Sequence, residues 1–331
     1  MGTILLKKIK VTPIAEESLG VRSMCTYVET SDVKILLDAG SSLAPKRLGY
    51  PPHPFEYQAL AESRKRISET AEKAEIIIIS HYHFDHHTPS FTDWFTNWSS
   101  AEAAKKICEN KIVLAKNYRS MVNASQRRRG WMFKKTAGSY TKKLETADST
   151  SFTFGDTKLH FSDPVFHGSE NSDLGWVLMT SIEYEDEKVL FSSDIQGPIQ
   201  VSTLNKILVQ QPQVVIVGGP PTYLAGLRVN EEEIEMGMQN LKWLVENIPL
   251  TILEHHPFRD ENWENLFQPL FDSARDAGNK ILTAAEYSGQ KNNFLEVRRK
   301  ELFETEPPNS EFKKWIKLSI QKRKLTKPPL D

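Results

Sequence analysis

Four potential metal ligands fall within six residues at His81-Tyr82-His83-Phe84-Asp85-His86, directly after the run Ile76-Ile77-Ile78-Ile79-Ser80. Imidazole nitrogens and carboxylate oxygens are the donors that Zn, Fe, Mn and Co accept, and two such groups a few ångströms apart can hold a pair of ions. With 9 His in 331 residues, the spacing HxHxDH would arise by chance in about three of ten thousand such chains. Scattered surface or core histidines are therefore a poor account of it. A buried strand fixes the backbone, and the loop that follows frees the side chains to converge.

The elements that must position this group read as strands and helices in alternation. Runs rich in Val and Ile at 24–29, 33–37, 75–79, 111–114, 158–161, 176–182, 188–191, 214–217 and 250–253 predict strands. Amphipathic patterns predict helices over 54–74, over 231–246 with Asn230 as N-cap and Glu231, Glu232 and Glu233 in the first turn, and from Trp263 to near Gly278. Early strands pair by hairpins and later ones alternate with helices, which implies packed sheets flanked by helices. No internal repeat of fixed period is present.

Composition narrows the class. Hydrophobic residues at 39% and charged residues at 26% are an ordinary globular mixture. Forty-two Lys+Arg against 43 Asp+Glu leave a net charge of −1, so no global field drives the chain onto nucleic acid or an anionic membrane. Cys25 and Cys108 stand outside any CxxC pattern, which removes a disulfide framework and thiolate zinc sites. No run approaches the roughly 20 apolar residues of a membrane span. The first twelve residues, punctuated by Lys7, Lys8 and Lys10, do not read as a secretory signal. A cytoplasmic location without membrane attachment is expected. Residues 311–331 carry seven Lys/Arg against two acids, which predicts a helix and a frayed basic tail. The expected division is a domain over 1–300 and a basic C-terminal segment over 301–331.

HxHxDH is the signature of the metallo-β-lactamase superfamily, which this chain resembles over roughly residues 14 to 290. The resemblance implies an α/β fold, a four-layer αββα sandwich. It also implies a single His after the motif, then an Asp at a strand end, then a late His. The chain offers His167 in Pro164-Val165-Phe166-His167-Gly168, Asp194 in Leu190-Phe191-Ser192-Ser193-Asp194, and His255 or His256 in Leu253-Glu254-His255-His256. Leu36-Leu37-Asp38-Ala39-Gly40 resembles the early hairpin, whose Asp supports a loop and is not a ligand. Glu16 to Ser23 and Gly218-Gly219-Pro220-Pro221-Thr222-Tyr223 are similar to an archaeal branch of the superfamily that brings no substrate with it.

What the resemblance implies is a two-metal centre: one ion on His81, His83 and His167, the other on Asp85, His86 and His255, with Asp194 bridging. The ions would be two divalent transition metals, zinc first, with Fe or Mn as alternatives. A bridging carboxylate lowers their mutual repulsion, and neutral imidazoles leave positive charge to acidify a water toward pKa ~7, so Asp85 and Asp194 carry the catalytic assignment. His255 is preferred as the late ligand because His255-x-x-x-Arg259 resembles a motif of RNA-processing members. His256 and Arg259 then face the substrate. Two adjacent residues of an extended strand point to opposite faces, so one of the two histidines should turn away.

Other features carry two readings each. Gln126-Arg127-Arg128-Arg129-Gly130-Trp131-Met132-Phe133-Lys134-Lys135 reads either as a single-strand nucleic-acid surface or as a solvated helix with an aromatic face in the core. Lys46 and Arg47 suit a surface loop or an anionic substrate. Thr222 and Tyr223, after a strand end, are placed at the site mouth. His53 and His160 are structural. The expected function is a metal-dependent hydrolase of an ester-like bond, with a phosphodiester or nucleic-acid substrate favoured. A hydrolase of small carboxylic esters, thioesters or lactones is the rival, and a non-catalytic metal-dependent binding or redox protein is the alternative of another class.

Overall fold

The computed structural model describes residues 6–170 and 172–330. The first five residues of the amino-terminal stretch and Asp331 lie outside the described residues.

One sheet runs in spatial order through β1 (Lys10–Glu16), β2 (Met24–Glu29), β3 (Lys34–Leu37), β4 (Ile76–Ile79), β5 (Ile112–Ala115) and β6 (Lys143–Thr146). The second contains β7 (Ser151–Phe154), β8 (Thr157–Phe161), β11 (Thr180–Tyr184), β12 (Glu187–Phe191), β13 (Val214–Gly218), β14 (Leu250–Glu254) and β15 (Lys280–Leu282), ordered β15-β14-β13-β12-β11-β8-β7. A two-stranded ribbon of β9 (Val165–Phe166) and β10 (Trp176–Val177) stands beside them. The predicted strand over 176–182 is thus broken in two, at Leu178 and Met179.

Period-two alternation explains why the sheets stack. Ile76 and Ile78 of β4, with Ile35 and Leu37 of β3, meet Val189 and Phe191 of β12, Val214 and Ile216 of β13 and Ile252 of β14 in one core between the sheets. The alternate residues Leu36, Ile77 and Ile79 face outward into a second core, built with Tyr57, Leu60, Ile67 and Ala71 of α1 (Pro54–Lys73), Ala104 and Ile107 of α2 (Ala101–Cys108) and Phe133 of α3 (Ala124–Lys135). On the far side Leu190, Val215, Val217 and Leu253 meet α4 (Val201–Gln210), α5 (Glu231–Asn247) and α6 (Trp263–Asp276). Strands buried on both faces read as unbroken apolar runs. Three cores separate four layers, an αββα sandwich. Asn230 caps α5 in a reciprocal box with Glu233, as its sequence predicts.

Two expectations need correction. The edge strand β1 escapes the apolar pattern because Lys10 and Pro13 interrupt it, and a register shift lies between Pro13 and Ala15; proline is tolerated at such an edge. The C-terminal segment is not a frayed tail. The division at residue 300 falls inside α8 (Arg299–Thr305), followed by α9 (Ser310–Trp315) and α10 (Ile320–Leu325). Phe312 and Trp315 are buried against α1, with their rings 5.9 and 5.4 Å from that of Tyr57. These two aromatic side chains outweigh the repulsion among the lysines, which remain on the solvent side. Among the described residues no helix is long and apolar enough to cross a membrane.

Candidate metal centre

Strands β3 to β6 run parallel, as do β12 to β15, and the chemistry gathers at their carboxyl ends, where sites of layered α/β folds form. Asp38 follows β3, His81 follows β4, His167 follows the short strand β9, Asp194 lies just beyond β12, and His255 follows β14. Both sheets therefore contribute. Asp38 joins them: its Oδ1 accepts from Ser80 N at 2.8 Å, and its Oδ2 accepts from Ser80 Oγ at 2.6 Å, Ser193 Oγ at 3.0 Å and His86 Nδ1 at 2.8 Å. Gly40 makes the close approach possible, since a Cβ there would stand 2.3 Å from His87 N and 2.6 Å from His86 N.

These bonds fix the imidazoles. Ser80 Oγ gives its one proton to Asp38, so His81 Nδ1, 2.9 Å away, is the donor to Ser80 Oγ. The Nδ1–H of His86 points at Asp38. Both rings then present a bare Nε2 lone pair, and both Nε2 atoms are buried without a hydrogen-bond partner, as are His167 Nδ1 and Asp194 Oδ1. Ligand atoms of His81, His83 and His167 lie within 4.8 Å of one another, and the same holds for Asp85, His86 and His255. Asp194 Oδ2 stands between them, 3.3 Å from His167 Nε2, 3.3 Å from His255 Nε2 and 3.1 Å from His256 Nε2. Buried polar atoms left without a hydrogen-bond partner are costly in a protein interior, and nitrogen with carboxylate oxygen is a transition-metal ligand set. The residues fit metal.

Electrostatics agrees at His81 and the two carboxylates; at His86, against its burial, the bond from Nδ1 to Asp38 and the charge of Asp85 push the imidazolium up to about 9, so a metal at Nε2 would displace a proton there. Burial, then the neighbouring imidazoles, holds His81 well below the ordinary histidine range, so it is neutral. Burial opposes ionisation of Asp194, but His256, His167 and His255 around it hold its carboxyl well below the usual range. Asp85 is likewise lowered against its burial, by His86 and His255.

The two late histidines do not point to opposite faces. His255 adopts φ 73°, a left-handed conformation rare for a residue with a side chain, and a 3-10 turn over His256–Arg259 begins at once. The strand ends at Glu254, so the alternation argument lapses and both rings reach Asp194. His255 groups with Asp85 and His86, and also with Asp194 and His256. Arg259 is 1% exposed; it donates to Glu17 at 2.7 and 2.8 Å and stands 3.0 Å from His255 Nδ1 and 3.2 Å from His256 Nδ1. It braces both rings from below.

A cavity of about 650 Å³ opens over this centre, lined by His83, Asp85, His167, Asp194, His255, His256 and Arg259 together with Tyr223. Tyr223 is among the lining residues, its ring under the Arg47 guanidinium at 4.4 Å, so Arg47 holds a side chain of the cavity wall. Thr222 is not: its hydroxyl donates to Asp260 at 2.6 Å and it does not line the cavity. The basic segment 126–135 forms α3, and none of it lines the cavity. Gly130 and Phe133 of that helix are buried, Gln126 donates to Leu174 O of the lip loop, and Arg129 lies over the Phe84 ring at 4.4 Å. Arg127, Arg128 and Trp131 face solvent. His53 caps α1 and His160 bonds Ser151, both away from the centre.

Sequence reasoning misses Arg22, Glu17, Glu296 and Arg228 near the cavity. A usable signal is present in Glu16-Glu17, two acids between the apolar Ile14 and Leu19, both buried. Of the two, Glu17 is met by Arg259, while burial and the neighbouring Glu254 raise the Glu16 carboxyl well above its ordinary range.

An αββα sandwich whose carboxyl-end loops converge HxHxDH with a further His, an Asp and late His residues defines a metallo-β-lactamase-fold protein. Among solved structures the chain is similar to unliganded yeast PDE1, with TM-score 0.50 and 12% identity over 84% of this chain and 99% of that one. It is also similar to the metallo-beta-lactamase fold protein YhfI of Bacillus subtilis, with TM-score 0.48 and 15% identity over 83% and 96%. Such likeness is one of fold. No family model matches the chain. It is 41% identical over 300 residues to a UPF0282 protein of Sulfurisphaera tokodaii, covering 90% of this chain and 94% of that protein. To a UPF0282 protein of Methanopyrus kandleri it is 38% identical over 294 residues, covering 89% and 99%. The chain belongs to the UPF0282 family.

Proposed function

We propose that this chain is a cytoplasmic metal-dependent hydrolase with a binuclear centre, acting on an ester-type bond in a small molecule. The observation that carries the reading is the pair of bare, buried Nε2 atoms on His81 and His86, whose Nδ1 protons are committed to Ser80 and Asp38. His81, His83 and His167 would hold one ion, Asp85, His86 and His255 the other, and Asp194 would stand between them. Zinc is proposed on the imidazole-rich donor set. Ions bound there supply Lewis acidity and an acidified water as nucleophile.

The chain's own residues do the rest. Asp194, ionised and between the two groups, offsets the repulsion of two cations. Arg259 fixes His255 and His256, so that neither ring needs to reorganise during the reaction. Tyr223 presents its hydroxyl at the cavity wall, 3.2 Å from His256 Nδ1, where it can orient a substrate or give a proton to a leaving oxygen. A cavity of this volume is in the small-ligand range, and the solvent-facing cations of α3 lie outside it; both points favour a small substrate over a polynucleotide. The test is elemental analysis of the purified protein with a panel of generic phosphodiester, lactone and thioester substrates. About two metal ions per chain, lost in Asp194→Ala, and turnover of one substrate class are expected. Full metal occupancy in Asp194→Ala would remove the bridge from the scheme.

A further inference from the structure

One wall of the cavity is built by residues that neither fold nor ligand placement requires. Arg22 follows the 3-10 turn Glu17–Leu19 and is tied by its backbone to Ser42, with N–H and C=O each bonded. Its Nε and Nη2 donate to the two Glu296 oxygens at 2.6 and 2.5 Å. A bidentate carboxylate locks the plane of a guanidinium. The remaining nitrogen, Nη1, donates to no group among the described residues and is not among the buried atoms, while Arg22 lines the cavity. Its free N–H groups are thus held in a fixed direction on a residue of the cavity wall.

Beside it stands Tyr223. Arg259 Nη1 can only donate, and at 3.2 Å from His256 Nδ1 it already serves that acceptor. The Tyr223 hydroxyl stands 3.2 Å from the same His256 Nδ1 and accepts from Nη1 at 3.4 Å; with Nη1 serving His256, the hydroxyl keeps its proton for a guest. The carboxylates behind this wall, Glu17 and Glu296, are committed to Arg259 and Arg22, so their charge is paired. At the rim Arg228 is exposed and forms no ion pair among the described residues. Four carboxylates line the cavity: Asp85 and Asp194 among the histidines, Asp173 on the loop between β9 and β10, and Glu233 in the first turn of α5.

We propose that Arg22 and Tyr223 form an oxyanion subsite beside the late histidines, which takes a phosphate or carboxylate group carried by the substrate. The ion pair with Glu296 cancels most of the long-range charge of Arg22 and keeps its direction. The subsite thus selects by hydrogen-bond geometry, and Arg228 supplies the attraction. That the anion belongs to a substrate rests on the hydrolase reading; the subsite itself does not, because its occupancy is measured without turnover.

The experiment is calorimetric titration of the metal-loaded protein with inorganic phosphate and, separately, with acetate. Wild type is compared with Tyr223→Phe, Arg22→Met and the double variant Arg22→Met/Glu296→Gln. The double variant is included because Arg22→Met alone strands the Glu296 carboxylate and threatens the fold. Loss of one or two donors to an anion is expected to weaken binding about tenfold or more in Tyr223→Phe and in the double variant, with metal content unchanged. Binding of phosphate alone, lost in the variants, supports the subsite and names the phosphoryl class; binding of acetate alone, lost likewise, supports it and names the carboxylate class. Variants that bind both anions as wild type does would show that the ions hold the anion unaided and would overturn the proposal, as would wild type that binds neither. Metal content and ester hydrolysis on the same preparations judge the hydrolase reading separately: a protein that takes up no metal yet binds phosphate through Arg22 sinks that reading and leaves the subsite standing.

Discussion

Asp38→Asn exchanges one oxygen for an NH2 group and leaves the outline of the side chain intact. All four groups around the carboxylate are drawn to it as donors. If the new NH2 takes the Oδ2 position, Ser80 and Ser193 can rotate their hydroxyls and accept, but His86 Nδ1–H cannot. It must lose its partner or move its proton to Nε2, the atom left bare for a metal. If the amide flips, the NH2 meets the Ser80 backbone N–H, which has no alternative state. Either way one buried N–H faces another donor, at a cost of about 1–3 kcal/mol. Partners that orient a metal-binding histidine are worth roughly 10–100-fold in affinity, about 1.4–2.7 kcal/mol, so the two routes to the magnitude agree. The assay is a competition titration against a chelator of graded strength, on wild type and Asp38→Asn, with far-ultraviolet circular dichroism as the control for folding. The expected result is two binding steps in wild type, of which one weakens by roughly 10–100-fold in the variant. Wild-type affinity at both steps would refute the tautomer argument, and with it the claim that Asp38 sets the His86 lone pair.

Gly40→Ala should lower the melting temperature and the metal content together, because its Cβ would collide with the backbone of His86 and His87 at 2.3–2.6 Å; overpacking of this kind costs about 1–3 kcal/mol or more, and an unchanged melt would contradict it. The double variant Arg127→Ala/Arg128→Ala should leave metal content and hydrolysis of small esters at wild-type levels, as both side chains face solvent away from the cavity; a large, salt-dependent loss of turnover would return the basic helix to the substrate path. Trp315→Ala should destabilise the fold by about 3–5 kcal/mol in denaturant unfolding, since Trp315 is 5% exposed and packs on Tyr57. A change within ±0.5 kcal/mol would mean that the C-terminal helices add little to the domain.

The heart of the site is legible in the sequence because its information is local. His81, His83, Asp85 and His86 share six residues, and an all-isoleucine strand places them. Asp38 is legible from the Leu-Leu-Asp-Ala-Gly pattern, and α5 from its acidic first turn. What escapes is settled by pairs far apart in the chain or by single torsions. Arg22 and Glu296 are 274 positions apart, and nothing near either residue announces the other. The fate of His255 and His256 turns on one positive φ, which residue type does not disclose for a histidine. The segment 126–135 reads equally as a helix packed on one face and as a nucleic-acid surface; it forms a helix that Gly130 lets lie against Tyr82 and Tyr118, with Arg127, Arg128 and Trp131 facing solvent. The C-terminus misleads because charge counts average over Phe312 and Trp315, whose burial decides the outcome.

The contribution of both sheets to one constellation sets an order of events at synthesis. His81 to His86 lie in the first third of the chain, and the groups they are placed with, His167, Asp194 and His255, follow much later. Until the second sheet docks, the early histidines form at most a partial chelate, open to whichever ion is abundant and unable to hold it tightly. Selection of a metal by this centre would therefore be deferred to a nearly finished molecule, when both halves of the cage exist.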